Sequence, residues 1–204
     1  NSFILVESTS GRTNIACDPW VGYGNYGGWH SFPEFKSKDL DNLMQSIHFV
    51  YISHLHDDHF DPEFLKKSGL INKKFIIKKF NNPVLENRLK GLGIQEVIEI
   101  PAWEIYTLSD IQFSIIPQMS SNSSELVDEV SYDLDTSIIF HEQNSTFFNQ
   151  VDNPLSKNNL KTVKQFIEKN FGELTIAALT CGAASEYPQA FLNIDRIKEK
   201  QRTI

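Results

Sequence analysis

The stretch ISHLHDDHFD, residues 52–61, holds three of the chain's six histidines and three aspartates in ten positions. It runs directly out of HFVYIS, a nearly continuous apolar run of the kind that forms a strand buried on both faces. Any fold of this chain must carry the end of a buried strand to a place where several ionisable side chains emerge together. On an extended loop, residues i and i+2 point the same way, so His54 and His56 can converge on one cation. Asp58 and His59 face a different direction and can reach a second cation or complete the first. Imidazole and carboxylate are the usual ligands of zinc and of non-haem iron. Catalytic groups of α/β proteins commonly sit on loops at strand C-terminal ends.

The surrounding sequence alternates strands and helices. SFILVES and TNIACDPW form a hairpin around Ser10-Gly11-Arg12. LDNLMQSI is a short helix. DPEFLKKSG has Asp61 as N-cap, Pro62 at the first helical position and Gly69 as the stop. KFIIKKF, PVLENRLKGLG and QEVIEI give a strand, a helix and a strand, the pattern of a mixed α/β domain. WEIYTL and IQFSII flank Ser109-Asp110, and DTSIIFHE and STFFNQVD flank Gln143-Asn144, so each pair is expected to be a hairpin. SSNSSELVDE is a polar loop. NLKTVKQFIEKNFG is an amphipathic helix with Leu160, Val163, Phe166, Ile167 and Phe171 on one face. ELTIAALT is expected to be a buried strand, ending in the small-residue loop CGAASEYP.

The 204 residues suffice for one domain spanning 1–204. A net charge of -7, from 19 basic and 26 acidic residues, argues against a nucleic-acid partner, which needs a basic face. No apolar run approaches a membrane span, and no basic-plus-apolar signal opens the chain, so a cytoplasmic protein is expected. The two cysteines, Cys17 and Cys181, are expected to be reduced. The first residue, Asn1, is not an initiator methionine, and the chain is expected to be truncated at one or both ends.

YISHLHDDHFDPEFL resembles the signature motif of the metallo-β-lactamase superfamily. CDPW, with GGW beyond it, FFNQVDN and CGAASEYPQAF narrow the resemblance to the metallo-β-lactamase-like domain of the CMP-N-acetylneuraminate hydroxylase group, from about residue 3 to about residue 192. The resemblance implies an α/β fold, an αββα sandwich with the metal site at one edge between the sheets. It implies that His54 and His56 bind a first metal, that Asp58 and His59 bind a second, and that Asp152 bridges them. It also places Asp18 behind a metal-bound histidine, orienting it or the loop.

The pattern is incomplete. The superfamily supplies another histidine between the cluster and Asp152, and that position falls near Ser131. His141, at the outer end of a hairpin, is expected to be exposed. No histidine follows Asp152. One metal on His54, His56 and Asp152, a weaker second on Asp58, His59 and Asp152, and an empty site all remain open.

Trp20, Trp29 and His30 lie in the aromatic loop that covers the metal site in the resembling proteins. They either contact substrate or pack among themselves. GAASEYP, with Tyr187, either receives a phosphate or lets two segments pack closely. The first functional expectation is a hydrolase holding one or two zinc ions, in which metal-bound water attacks a small polar substrate and Asp57 or Asp58 takes the proton. The substrate class suggested is a nucleotide-sugar or phosphorylated metabolite. The alternative is an iron-dependent hydroxylase with a Rieske electron donor, since this chain has no cysteine–histidine set for a Rieske centre. A degenerate, non-catalytic binding domain is the third.

Overall fold

Ile4–Glu7 (β1) and Asn14–Cys17 (β2) pair antiparallel, Ile4 opposite Cys17 and Glu7 opposite Asn14. The reversal between them uses Gly11 at φ +68, in the left-handed region open to glycine. The computed structural model describes residues 3–24, 29–30, 37–119 and 134–180.

β2 then pairs in parallel with Phe49–Tyr51 (β5), which pairs with Lys74–Lys78 (β6) and, through it, with Val97–Ile100 (β7). Tyr23–Gly24 (β3) and Trp29–His30 (β4) form a small separate ribbon. The first sheet therefore runs β1-β2-β5-β6-β7. Its crossovers carry helices Ser37–Ser46 (α1), Pro62–Lys67 (α2) and Val84–Gly91 (α3). The start of α2 is fixed as its sequence suggests: the Asp61 carboxylate accepts from the backbone N–H groups of Glu63 and Phe64, and Pro62 opens the helix.

The second sheet is built from Tyr106–Leu108 (β8), Ile111–Pro117 (β9), Thr136–Glu142 (β10), Ser145–Asn149 (β11) and Ile176–Ala178 (β12), in the order β12-β11-β10-β9-β8. Ser109 and Gln143 take positive φ at the tips of the two expected hairpins. Lys157–Asn170 (α4) crosses from β11 to β12, which runs parallel to β11. Its N-terminus is a capping box, with Ser156 and Asn159 satisfying each other's backbone N–H.

Side-chain alternation with period two stacks these parts into layers. Ile15, Cys17, Tyr51 and Ile76 of the first sheet meet Phe113, Ile115, Ile138 and Phe140 of the second in a core between the sheets. Ala16, Val50, Phe75 and Ile77 point the other way, onto Leu65, Leu85 and Leu89 of α2 and α3. Ile139 and Phe148 face Val163 and Ile167 of α4. The result is the expected α/β/β/α sandwich. Full burial of each such aliphatic or aromatic side chain contributes about 1.5–3 kcal/mol.

Three local expectations are corrected. Leu160 was placed on the buried face of α4 but is 40% exposed, because the packed stripe runs through Val163, Ile167 and Phe171. β12 was expected to be buried, yet Ile176 is 61% exposed among the described residues, where β12 is an edge strand. His141 is half-buried rather than exposed: its Nδ1 lies 3.0 Å from Thr146 Oγ1, and its ring packs 5.4 Å from that of Phe171, just past α4. Among the described residues, no helix is long and apolar enough to cross a membrane.

Candidate metal centre

Tyr51 ends β5, and the chain stays buried through Ile52, Ser53 and His54 before it turns outward. His56 and Asp57 are exposed, Asp58 is half-buried and His59 is buried again. The turn closes with the His59 and Phe60 N–H groups donating to the His56 carbonyl. The cluster thus leaves the core and returns to it within six residues. That is why its side chains share one small volume: the His54 ring is 4.4 Å from that of His56 and 4.2 Å from that of His59.

The second sheet contributes two carboxylates to the same place. Asp135 immediately precedes β10, and its Oδ1 is 3.2 Å from His54 Nε2. Asp152 follows β11, and its Oδ2 is 3.1 Å from His59 Nε2. Asp152 is aimed by Val151, a β-branched residue at φ +55, a conformation that costs energy and needs support. That support comes from Asn149 Oδ1, which accepts from Val151 N–H, and from the Thr180 hydroxyl on the Val151 carbonyl. Asn153, fully buried, ties the same turn to the carbonyls of Ile116 and Pro117 in β9.

Asp18, at the end of β2, organises the first sheet's half of the site. It is fully buried at φ +44, with its N–H on the Tyr51 carbonyl. Its Oδ1 accepts from Ser53 N–H at 2.7 Å; its Oδ2 accepts from the Ser53 hydroxyl at 2.7 Å and faces His59 Nδ1 at 2.9 Å. These bonds fix protons. A carboxylate only accepts, so His59 carries a proton on Nδ1. The Ser53 hydroxyl gives its one proton to Asp18 and must therefore accept from His54 Nδ1, 2.9 Å away. Both imidazoles are set as Nδ1–H donors, and both Nε2 atoms turn toward the carboxylates of the second sheet.

That orientation brings each Nε2 within reach of a second-sheet carboxylate, and His54 Nε2 also lies 2.8 Å from His56 Nδ1. His54 Nε2 meets Asp135, and His59 Nε2 meets Asp152 and, at 3.6 Å, Asp58. Such contacts are favourable with positive charge between nitrogen and carboxylate: a metal ion, or at His59 a second ring proton. The titration of the side chains shows which imidazole carries that proton in the metal-free protein. Burial lowers His59, but its bonds to Asp152 and Asp18 outweigh this and hold it up at about 10. The same contact holds Asp152 below the usual carboxylate range. His54 has no such carboxylate pair on its ring. Burial first, then the neighbouring charges of His59 and His56, push it down to about 3, so it stays neutral and ready to ligate.

Among the described residues, two sets of three donors lie close enough to hold one ion: His54, His56 and Asp135; and His54, His59 and Asp152. The structure therefore brings together His54, His56, His59, Asp152 and, behind them, Asp18. Asp58 borders the second set, while Asp57 is exposed and in neither. Trp20 is only 4% exposed and packs in the fold. Trp29 and His30 lie on β4, but their side chains, like Tyr187, Ser131 and Cys181 as a whole, lie outside the described residues. Asp135 was missed. It lies four residues past Ser131, where a histidine was sought, and directly before an apolar strand. Asp152, directly after one, has the mirror placement.

No family model matches the sequence. A protein of Mycolicibacterium smegmatis named for a Rieske 2Fe-2S iron–sulfur centre is 29% identical over 202 residues, 96% of this chain but only 35% of the relative; the chain thus spans about a third of that protein. Among solved structures, CmlA, a diiron β-hydroxylase from Streptomyces venezuelae, superposes with a TM-score of 0.64 at 19% identity, over 98% of this chain and 38% of its own. A possible metal-dependent hydrolase from Veillonella parvula superposes with a TM-score of 0.58 at 13% identity, over 81% of this chain and 64% of its own. With two five-stranded sheets between helices and a histidine–aspartate cluster at their shared edge, the chain has the metallo-β-lactamase fold.

Proposed function

We infer that the chain is a non-haem iron domain that hydroxylates a small polar substrate with electrons from a Rieske-type donor. One observation carries this reading: each donor set is two histidines and one carboxylate, the combination that suits iron in oxygenases. The likeness to a Rieske-named relative over nearly the whole chain, and to a diiron hydroxylase in fold, supports it.

Iron held by these donors would supply oxygen-activating redox chemistry. The chain's own residues do the rest. One imidazole nitrogen binds one ion, so His54 cannot serve both sets at once. With His54, His56 and Asp135 on a first ion, a second would rest on one histidine, His59, with the carboxylates of Asp152 and Asp58. Asp18 keeps the Nδ1 protons in place and so presents both Nε2 lone pairs. His56 and Asp152 are the exposed donors, with Asp57 exposed beside them, and this is the proposed side from which substrate arrives. Asp57 and Asp58 are the proposed residues that exchange a proton with it. Trp29, His30 and Tyr187 are proposed substrate contacts, with a nucleotide-sugar as substrate class from the resemblance to CMP-N-acetylneuraminate hydroxylases.

The second reading is a zinc-dependent hydrolase, favoured by the third imidazole, His59, within reach of His54. Elemental analysis of protein purified without added metal, beside a His54→Ala/His56→Ala control, separates the two. Iron at about one or two per chain, lost in the control, is expected. Zinc without iron would replace the hydroxylase reading by the hydrolase. No metal above the control would sink both.

A further inference from the structure

The donors come from both sheets: His54 follows β5 of the first, and Asp135 precedes β10 of the second. Their spacing therefore depends on how the sheets are held at this edge. The apolar core between them has no directional preference that would set it. A buried chain of hydroxyls does. Thr136 Oγ1 donates to the Ser53 carbonyl at 2.9 Å, from β10 across to the first sheet. A threonine hydroxyl has one proton, so at its 2.6 Å contact with Tyr51 the phenol is the donor. Tyr51, Ser53 and Thr136 are all fully buried. The two residues bridged, Ser53 and Thr136, are the direct chain neighbours of the two donors, His54 and Asp135.

We propose that Tyr51 is a positioning residue: through Thr136 it clamps the two sheets at the spacing that lets Asp135 and His54 share one ion. Tyr51 touches neither metal nor substrate. Its phenol takes up one lone pair of the Thr136 hydroxyl and so directs that hydroxyl's proton onto Ser53. Thr136 then has one orientation, and Asp135 is held at one distance from His54. The proposal rests on the metal-binding reading above.

The test is Co(II) titration of the chelated protein, followed by the visible spectrum, which reports the geometry around each ion. Tyr51→Phe and Thr136→Val are each expected to weaken Co(II) binding about tenfold, the lower end for loss of a supporting partner, and to alter the spectrum as Asp135→Asn does. Thr136→Ser, which keeps the hydroxyl, is expected to restore both. Tyr51→Phe added to Asp135→Asn is expected to bring no further loss, because the clamp acts through Asp135. Wild-type affinity and spectrum in Tyr51→Phe and Thr136→Val, or a full additional loss in the double variant, would overturn the clamp while leaving the metal centre standing. Wild-type protein that takes up no Co(II) would overturn the metal reading and the clamp with it.

Discussion

Asp135 Oδ1 lies 3.2 Å from His54 Nε2, although one residue precedes a strand of the second sheet and the other follows a strand of the first. Asp135 is thus the carboxylate close enough to His54 and His56 to hold one ion with them. Asp135→Ala is expected to weaken metal binding by more than the about 10–100-fold typical of losing a supporting partner. Isothermal titration with Fe(II) under nitrogen measures it. Unchanged affinity would remove Asp135 from the centre.

Asp18 is expected to matter for metal affinity without touching the ion. Asparagine tolerates the left-handed backbone at this position, so Asp18→Asn isolates the hydrogen-bond chemistry from backbone strain. Its amide would present a donor to the Ser53 hydroxyl or to His59 Nδ1, where only an acceptor fits. Metal affinity should fall about 10–100-fold, and the fold should lose about 1–3 kcal/mol for a buried polar group left unmatched. Metal titration and urea unfolding of the same variant check both. An Asp18→Asn protein with unchanged metal affinity would show that the two imidazoles do not need this carboxylate.

The parts legible in the sequence are those set by local chemistry. The Asp61 cap, the turn at Gly11 and the period-two strands follow from neighbouring residues, and so does the convergence of His54 and His56 on a loop after a buried strand. What escaped depends on distant partners. Asp135 is one polar residue among several until the pairing of β10 with β9 fixes where the second sheet ends. His141 reads as a hairpin tip until Phe171 covers it. Apolar composition in ELTIAALT marks a strand but does not say whether the strand lies at an edge. The Tyr51–Thr136 contact joins residues 85 positions apart, and no local pattern encodes it.

Cys17 is expected to be inert while the protein is folded. It is fully buried between the sheets, and burial, then the adjacent Asp18 charge, push its thiol well above the usual range. Nucleophilic attack needs the thiolate, which is scarce here and shielded. Iodoacetamide at neutral pH should leave the Cys17 peptide unmodified in native protein and alkylate it fully in denaturant, as read by mass spectrometry. Ready alkylation without denaturant would mean that the β2 edge of the core opens easily.

The last prediction concerns the chelated, metal-free protein and its pH dependence. His54 drops from 6.5 to about 3 on folding, through burial and then the nearby His59 and His56. A depressed group contributes stability that is present above its unfolded value and lost as pH falls toward the folded one. His59 moves the other way. Burial lowers it, but the bonds to Asp152 and Asp18 carry it to about 10. Its contribution is present below 6.5 and lost as pH rises toward 10. The two limbs meet, so stability should peak near pH 6.5 and decline on both sides. Thermal midpoints in EDTA from about pH 4 to about pH 10 measure this. In His59→Gln the alkaline decline should flatten, because the group that loses its proton there is gone. In metal-loaded protein it should flatten as well, since a bound ion takes the place of that proton between His59 and Asp152. A metal-free wild type with no alkaline decline would mean that His59 does not carry its charge between Asp18 and Asp152.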